Sequence, residues 1–220
     1  DSMSRRSIRK YTAERVTREL LDVIMECGIN APNGQNRQSW EIRIVDDPAI
    51  MDSIKGAMIK GHPNMKPEAV AGCFRGAPVM VFIARDLTYD FSAYDCGILA
   101  QNIMLSAWSL GVGSICLGSP VRFLTDNQEC KPVLERLGFG ENYELALCIG
   151  LGYADESPEG IKLNIDTYFN PLLVGKPATQ INALMKMLDK NVSGNNFAKS
   201  GIETALLDAQ GKRLGVPVSA

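Results

Sequence analysis

The sequence predicts an α+β protein that is followed by a mostly helical C-terminal segment. Strand-like and helix-like stretches alternate from Thr17 to Tyr153, and from Ile161 onward the pattern is helical and free of cysteine. With 45% hydrophobic and 22% charged residues among 220, the composition is that of an ordinary globular chain. The length is sufficient to bury a substantial core.

Four stretches have the pattern of β-strands. Hydrophobic and polar residues alternate from Trp40 to Val45, and the turn formers at positions 46–48 end that run. Residues 78–84 form a continuous apolar run, which predicts a central strand because such strands are covered on both faces. A short strand is expected after Gly111 and Gly113, and another at residues 143–150.

Five stretches are typical of helices. Thr17 is a suitable N-cap for a helix that runs to about Cys27, where Gly28 can end it. The other helical stretches are residues 49–60, the buried-looking stretch 94–110, and residues 182–188 and 198–214. Because the character changes at residues 156–159, we place a boundary near Ser157 and Pro158. We expect one domain at residues 1–159 and a helical segment at 160–220.

Composition and charge narrow the class of function. A formal net charge of -2 gives no general attraction to nucleic acid or to an anionic membrane. No apolar run is long enough to span a bilayer, and the polar N-terminus lacks a signal-peptide pattern, so we expect a cytoplasmic protein. The six cysteines form no CxxC pair, which predicts reduced, buried thiols. With His62 as the only histidine, we expect no metal site.

The first candidate binding feature is the arginine segment, residues 5–9, which carries Arg5, Arg6, Ser7 and Arg9. Guanidinium groups bind phosphate oxygens through charge-assisted and often bidentate hydrogen bonds, and a serine hydroxyl adds a donor. A single short run of this kind is more often a solvated basic patch, so the segment alone indicates no specific ligand.

Two further features extend the candidate site. The amide loop, residues 31–38, carries asparagine and glutamine side chains that both donate and accept, as the pyrimidine edge of an isoalloxazine ring requires. The glycine turn, residues 111–118, would let backbone N–H groups approach a planar ring closely. Taken alone, the amide loop is equally well explained as a polar turn after a helix. The glycine turn alone is equally well explained as a helix-to-strand turn.

Together and in this order, these features resemble the nitroreductase family of FMN flavoproteins over about residues 1–159. The matching stretches are residues 5–11, 31–40, 95–113 and 150–153. The resemblance implies a mixed sheet flanked by helices and a homodimer with FMN at the subunit interface. It also implies an oxidoreductase that passes a hydride from NADH or NADPH through the flavin to a nitroaromatic, quinone or similar small-molecule acceptor. Since the flavin carries the chemistry, no catalytic side chain and no metal are implied.

The same resemblance assigns roles to individual residues. Arg5 and Ser7 would bind the phosphate and the ribityl chain, with Arg6 close by. Arg9 would lie near N1 and O2 of the ring, where a fixed cation favours the reduced flavin. The remaining contacts would come from the amide loop and the end of the glycine turn: Pro32, Asn33, Gly34, Asn36, Gln38, Leu117 and Gly118.

The chain departs from the family pattern at both ends of this region. Only residues 1–4 precede the arginine segment, so we expect that a usual N-terminal helix is truncated. The family usually has a further phosphate contact soon after the last strand. At that point this sequence offers Lys162, whose spacing makes it a poor substitute. Acceptor specificity is expected to come from loops at residues 65–73 and 123–130.

Residues 156–220 are similar instead to an internal helical segment of muconate cycloisomerases, in the enolase superfamily. The chain is therefore interpreted as a fusion or chimera. Because that family's catalytic lysines and metal carboxylates are missing here, we expect no cycloisomerase activity. The alternative to an oxidoreductase is a weakened or non-catalytic flavin-binding or assembly protein with a foreign helical segment.

Overall fold

The structure is a computed structural model that describes residues 5–156, 168–192 and 196–215, without the side chains of residues 196–198, 200 and 201. The chain divides into two compact units, residues 1–158 and residues 159–220.

The first unit is built on a four-stranded sheet with the order β1-β2-β4-β3. The strands are β1 (Trp40–Val45), β2 (Val79–Asp86), β3 (Gly113–Leu117) and β4 (Tyr143–Gly152). Their three pairings are antiparallel, and an isolated parallel bridge joins Ser7 to Ser114 at the β3 edge. The predicted α+β architecture is confirmed, and residues 79–84 of the apolar run predicted at 78–84 do lie in an interior strand.

Within residues 5–156, six α-helices accompany the sheet: α1 (Arg18–Ile29), α2 (Pro48–Gly61), α3 (Pro67–Ala71), α4 (Ser92–Ser109), α5 (Ser119–Thr125) and α6 (Lys131–Leu137). Thr17 caps α1 as predicted, since its side chain accepts a hydrogen bond from the Leu20 N–H. The expectation that Gly28 ends this helix is wrong, because α1 continues to Ile29. A Cβ at Gly28 would lie 2.5 Å from Ile103 Cγ1, so the glycine allows α1 to pack closely on α4.

Helices cover both faces of the sheet and form two hydrophobic cores. Along β2, Val79, Val81 and Ile83 point into a core with α1 and α4. The alternate residues Met80 and Phe82 point into a second core with α2, α3 and α5. This period of two explains why β2 reads as a continuous apolar run.

The prediction of buried thiols holds for four of the six cysteines, whereas Cys27 and Cys116 are exposed. The specificity loops expected at residues 65–73 and 123–130 are largely helical, since they contain α3, the end of α5 and two short 3-10 helices. Among the described residues, no helix is long and apolar enough to cross a membrane.

The described part of the second unit is helical, as predicted. It contains α7 (Asn170–Leu173), α8 (Ile181–Asn191) and α9 (Asn196–Leu214). Phe169, Leu188 and Ile202 form its small core. Lys199, of which only 7% is exposed, pairs with Asp189 at 2.8 Å. The apolar faces of α8 and α9 are thus partly buried within the unit itself.

Candidate functional site

The arginine segment lies along the free edge of β3. Ser7 forms the parallel bridge with Ser114, and the Ile8 N–H donates to the Ser114 carbonyl at 3.0 Å. Gly113 makes this approach possible, because a Cβ there would lie 2.7 Å from Ile8 Cγ1. The structure therefore brings two of the predicted features together, the arginine segment and the glycine turn.

The carboxylate of Glu156 holds the end of the arginine segment. Its Oε1 atom accepts hydrogen bonds from the backbone N–H groups of Arg9 and Lys10. Next to it, the Tyr11 hydroxyl donates to the Ile8 carbonyl at 2.8 Å. Burial, reinforced by the Glu156 charge, raises the pKa of the Tyr11 phenol well above its usual range, so Tyr11 stays a neutral donor. Neither Tyr11 nor Glu156 was predicted from the sequence as a residue of the site.

The three guanidinium groups of the segment have different surroundings. Arg6 donates to the Arg5 carbonyl at 2.9 Å, and Arg9 donates to the Ser7 carbonyl at 3.1 Å. Arg5 Nη1 is buried and has no hydrogen-bond partner among the residues that the structure describes. The buried hydroxyl of Ser114 also lacks one within the described ranges. A buried guanidinium nitrogen without an acceptor costs free energy, and a bound anion would supply that acceptor. Such a nitrogen is therefore expected at an anion site.

The amide loop has an unusual backbone. Gln35, Asn36 and Gln38 all have positive φ angles, of 56°, 55° and 48°. Non-glycine residues rarely adopt this left-handed conformation, and several together mark strain that the surroundings must hold. Part of that hold comes from Asn33, whose Oδ1 accepts from the Gln38 N–H at 2.8 Å. The side chains of Asn36 and Gln38 face solvent.

A buried carboxylate fastens this loop to α4. Asp95 is 3% exposed, and its two oxygens accept from the Gly34 N–H at 2.9 Å and the Ser39 hydroxyl at 2.7 Å. Gly34 cannot be replaced without a shift, because a Cβ there would lie 2.1 Å from the Tyr89 hydroxyl oxygen. Asp95 was not predicted as a residue of the site, although an acidic residue within an apolar helical run is a usable signal.

At the end of the glycine turn, Leu117 and Gly118 differ in their surroundings. The Leu117 side chain is buried in the second core, whereas no heavy atom lies within 4 Å of a Cβ built on Gly118. From Ser119 a cleft of about 410 Å³ extends between α5 and the end of α2. Its lining includes His62 and Phe123, whose rings meet edge to face at 5.0 Å.

The amide loop lies far from the arginine segment within one chain. β1 and β3 are the outer strands, and Ser114 pairs with Leu151 near one end of β4. Trp40, just after the loop, pairs with Arg85, which pairs with Glu144 near the other end of β4. From a rise of about 3.3 Å per residue and about 4.8 Å between strands, the two features are on the order of 25 Å apart. The remaining predicted residue, Lys162, lies outside the described residues.

Comparison with known proteins agrees with this architecture. Residues 3–153 match the model described as the nitroreductase family. The chain belongs to this family. A curated Archaeoglobus fulgidus protein, provisionally named NADH dehydrogenase/NAD(P)H nitroreductase, is 30% identical over 171 residues, which cover 76% of this chain and 90% of that protein. A crystal structure of a nitroreductase with bound FMN from Desulfitobacterium hafniense is 32% identical, with a TM-score of 0.63, and the match covers 70% of this chain and 87% of that one.

The C-terminal part has different relatives. Residues 145–220 match the N-terminal domain of the mandelate racemase / muconate lactonizing enzyme family. Muconate cycloisomerase 1 of Pseudomonas putida is 70% identical over 70 residues, which are 32% of this chain and 19% of that enzyme. The chain thus spans about a fifth of the cycloisomerases it matches, and it joins sequences of two families, as the resemblances predicted.

Proposed function

We propose that this protein is an FMN-dependent oxidoreductase. When bound, FMN would take a hydride from NADH or NADPH and deliver electrons to a nitroaromatic, quinone or similar acceptor. Family membership and the FMN-bound relative support the cofactor. The name of the Archaeoglobus fulgidus relative supports the nicotinamide donor. The observation that supports the proposal most directly in this chain is the buried, unpartnered Nη1 of Arg5 within the described residues.

The arginine segment fits the phosphate end of FMN. Arg5 would supply a charge-assisted hydrogen bond from a nitrogen that has no other acceptor in the described part of the chain. From the β3 edge, the Ser7 hydroxyl would join Arg5 in binding the phosphate and the ribityl chain, and Arg6 would add positive charge close by. Leu117 and Gly118 would present backbone to the ring, and the open space at Gly118 leaves room for it.

The amide loop and Arg9 fit the other end of the cofactor. The exposed side chains of Asn36 and Gln38, with Asn33, would pair with the donor and acceptor edge of the pyrimidine ring, and Pro32 and Gly34 shape the loop. Arg9 would place its positive charge near N1 and O2, where the reduced ring is negative, and would thereby favour reduction.

We propose further that two copies of the chain build each site. One flavin is too short to contact the arginine segment and the amide loop of the same chain, since these lie on the order of 25 Å apart. A homodimer in which the loop of one copy approaches the arginine segment of the other resolves this conflict. Exposed apolar side chains near the start of α4 support self-association, since Phe91 is 56% exposed and Tyr94 70%.

The acceptor would enter beside Gly118, in the cleft that begins at Ser119. Its wall contains Met65, Phe123 and His62, which suit a planar aromatic compound. This places the two segments expected to determine acceptor specificity on one cleft, although both are more helical than predicted.

The test of the proposed function is flavin retention followed by turnover. The purified protein, desalted after addition of FMN, should keep about one FMN per chain and oxidise NADH or NADPH when a quinone or nitroaromatic is added. A protein that keeps FMN but shows no turnover supports the alternative, a non-catalytic flavin-binding protein. A colourless protein that takes up no FMN contradicts the oxidoreductase and the flavin-binding form of the alternative, and it favours an assembly protein without flavin.

The two-copy site has its own test. Arg5→Ala and Asn36→Ala variants should each bind FMN weakly, because each lacks one half of every site. Unfolded and refolded together, they should form mixed dimers in which one site has both halves intact. Recovery of tight binding in the mixture, but not in either variant refolded alone, supports a shared site. No recovery, although mixed dimers have formed, contradicts it.

A further inference from the structure

We infer that Asp95 and Ser39 form a clamp that fixes the amide loop in its flavin-binding conformation. This inference rests on the proposed function, and it assigns a positioning role to two residues outside the predicted contacts. Asp95 would not touch the cofactor. It acts through the loop that does.

The clamp holds both ends of the strained stretch. One oxygen of the Asp95 carboxylate accepts from the Gly34 N–H, and the other accepts from the Ser39 hydroxyl. Between these anchors lie Gln35, Asn36 and Gln38, whose φ angles are all positive. Such a conformation persists only where the surroundings over-determine it. The carboxylate supplies that constraint from a rigid element, since α4 is an 18-residue helix.

The surroundings of the clamp strengthen the constraint. Asp95 is 3% exposed and Ser39 is 2% exposed, so water competes little for their hydrogen bonds. Asp95 lies in the first turn of α4, where the helix dipole stabilises a negative charge. On the outer side, the Arg37 guanidinium lies over the Tyr89 ring at 4.6 Å. The loop is thus held from inside by the carboxylate and from outside by an aromatic ring.

A purely structural role for Asp95 would affect stability and leave cofactor binding in the folded protein unchanged. A positioning role predicts more, because the amide side chains must meet the flavin in one geometry. Without the clamp, the loop must be ordered when FMN binds, and this lowers affinity. The amides would also donate less well to the pyrimidine edge, so the reduction potential of bound FMN would become more negative.

The experiment compares three variants, Asp95→Ala, Asp95→Asn and Ser39→Ala, with the unaltered protein. The control is Asp90→Asn, at an exposed aspartate between β2 and α4. The dissociation constant for FMN, the absorption spectrum and midpoint potential of bound FMN, and thermal unfolding are measured for each. We expect Asp95→Ala to raise the dissociation constant about tenfold or more. We expect a smaller loss of FMN affinity in Ser39→Ala and in Asp95→Asn, which keeps one acceptor oxygen. The control Asp90→Asn should bind FMN as tightly as the unaltered protein.

The outcomes separate the clamp from the proposed function. If the unaltered protein binds no FMN, the proposed function fails and the clamp role fails with it. If it binds FMN, and folded Ser39→Ala and Asp95→Asn variants keep its affinity and potential, only the clamp inference is overturned. Should Asp95→Ala fail to fold, these two milder variants decide the matter. Graded loss of affinity with a more negative potential supports the inference.

Discussion

Ser7 and Ser114 are joined by a parallel bridge that adds the arginine segment to the open edge of β3. The bridge places the segment beside the turn that ends at Gly118, although more than a hundred residues separate the two in sequence. A phosphate bound there would meet Arg5 at a fixed position on the sheet and not on a mobile tail.

Replacement of Arg5 should weaken FMN binding more than replacement of an exposed arginine outside the candidate site. Loss of a charge-assisted hydrogen bond costs about 1.5–3 kcal/mol, so Arg5→Gln should raise the dissociation constant at least tenfold. Arg5→Lys keeps the charge but loses the planar fork and should be intermediate. Titration of the folded variants with FMN checks this, with Arg15→Gln as an exposed control. Equal affinity in Arg5→Gln and the control would contradict the assignment.

Gly113, the first residue of β3, and Gly118, which follows the last one, should respond differently to alanine. In Gly113→Ala the new Cβ would lie 2.7 Å from Ile8 and 3.0 Å from the Gly152 carbonyl oxygen. We expect a loss of about 1–3 kcal/mol in the free energy of unfolding, because the arginine segment must move away. Gly118→Ala meets open space and should unfold like the unaltered protein, yet bind FMN less tightly. Urea unfolding gives the stability of both variants, and titration gives their FMN affinity. Equal free energies of unfolding in the two variants would contradict this prediction.

Glu156 should influence FMN binding through the backbone of Arg9 and Lys10. Glu156→Ala leaves both N–H groups without their acceptor and should raise the FMN dissociation constant about threefold to tenfold. Glu156→Gln keeps an acceptor oxygen and should restore most of the affinity. Glu141→Gln, at an exposed position before β4, is the control. Equal affinities for the alanine and glutamine variants and the unaltered protein would exclude a role for Glu156.

The buried thiol of Cys96 should make the protein less stable at alkaline pH. Burial, with a contribution from the Asp95 charge, raises the pKa of this thiol from 9.0 to about 12. Above pH 9 the unfolded chain releases this proton and the folded chain does not, so stability falls as pH rises from about 9 towards 12. Between pH 8 and 10 the free energy of unfolding should drop by roughly 1.4 kcal/mol from this group.

Chemical unfolding at several pH values tests this linkage. Cys96→Ala should flatten the alkaline decline, whereas Cys27→Ala, at an exposed thiol, should leave the slope unchanged. An identical slope in Cys96→Ala and the unaltered protein would show that other groups cause the decline.

The fold was largely predictable because its signals are local. The apolar run of β2 and the cap at Thr17 each reflect the chemistry of a few neighbouring residues. The role of Gly28 was predicted wrongly, since a glycine that ends a helix and one that lets two helices touch look alike in sequence. Only the packing of α1 against Ile103 on α4 distinguishes them.

The candidate site was only partly predictable for a related reason. The arginine segment and the amide loop have recognisable compositions, but Asp95 and Glu156 contact them from distant parts of the chain. The order of the strands separates the loop from the segment by the width and length of the sheet. No local pattern in the sequence encodes that separation.

The most direct test of the account is an anaerobic titration of the purified, FMN-loaded protein with NADH or NADPH. We predict that the yellow flavin absorbance is lost with about one equivalent of nicotinamide per flavin and returns when a quinone or nitroaromatic is added. A flavin that stays oxidised with both nicotinamides, in a protein that binds FMN tightly, would contradict the proposed oxidoreductase.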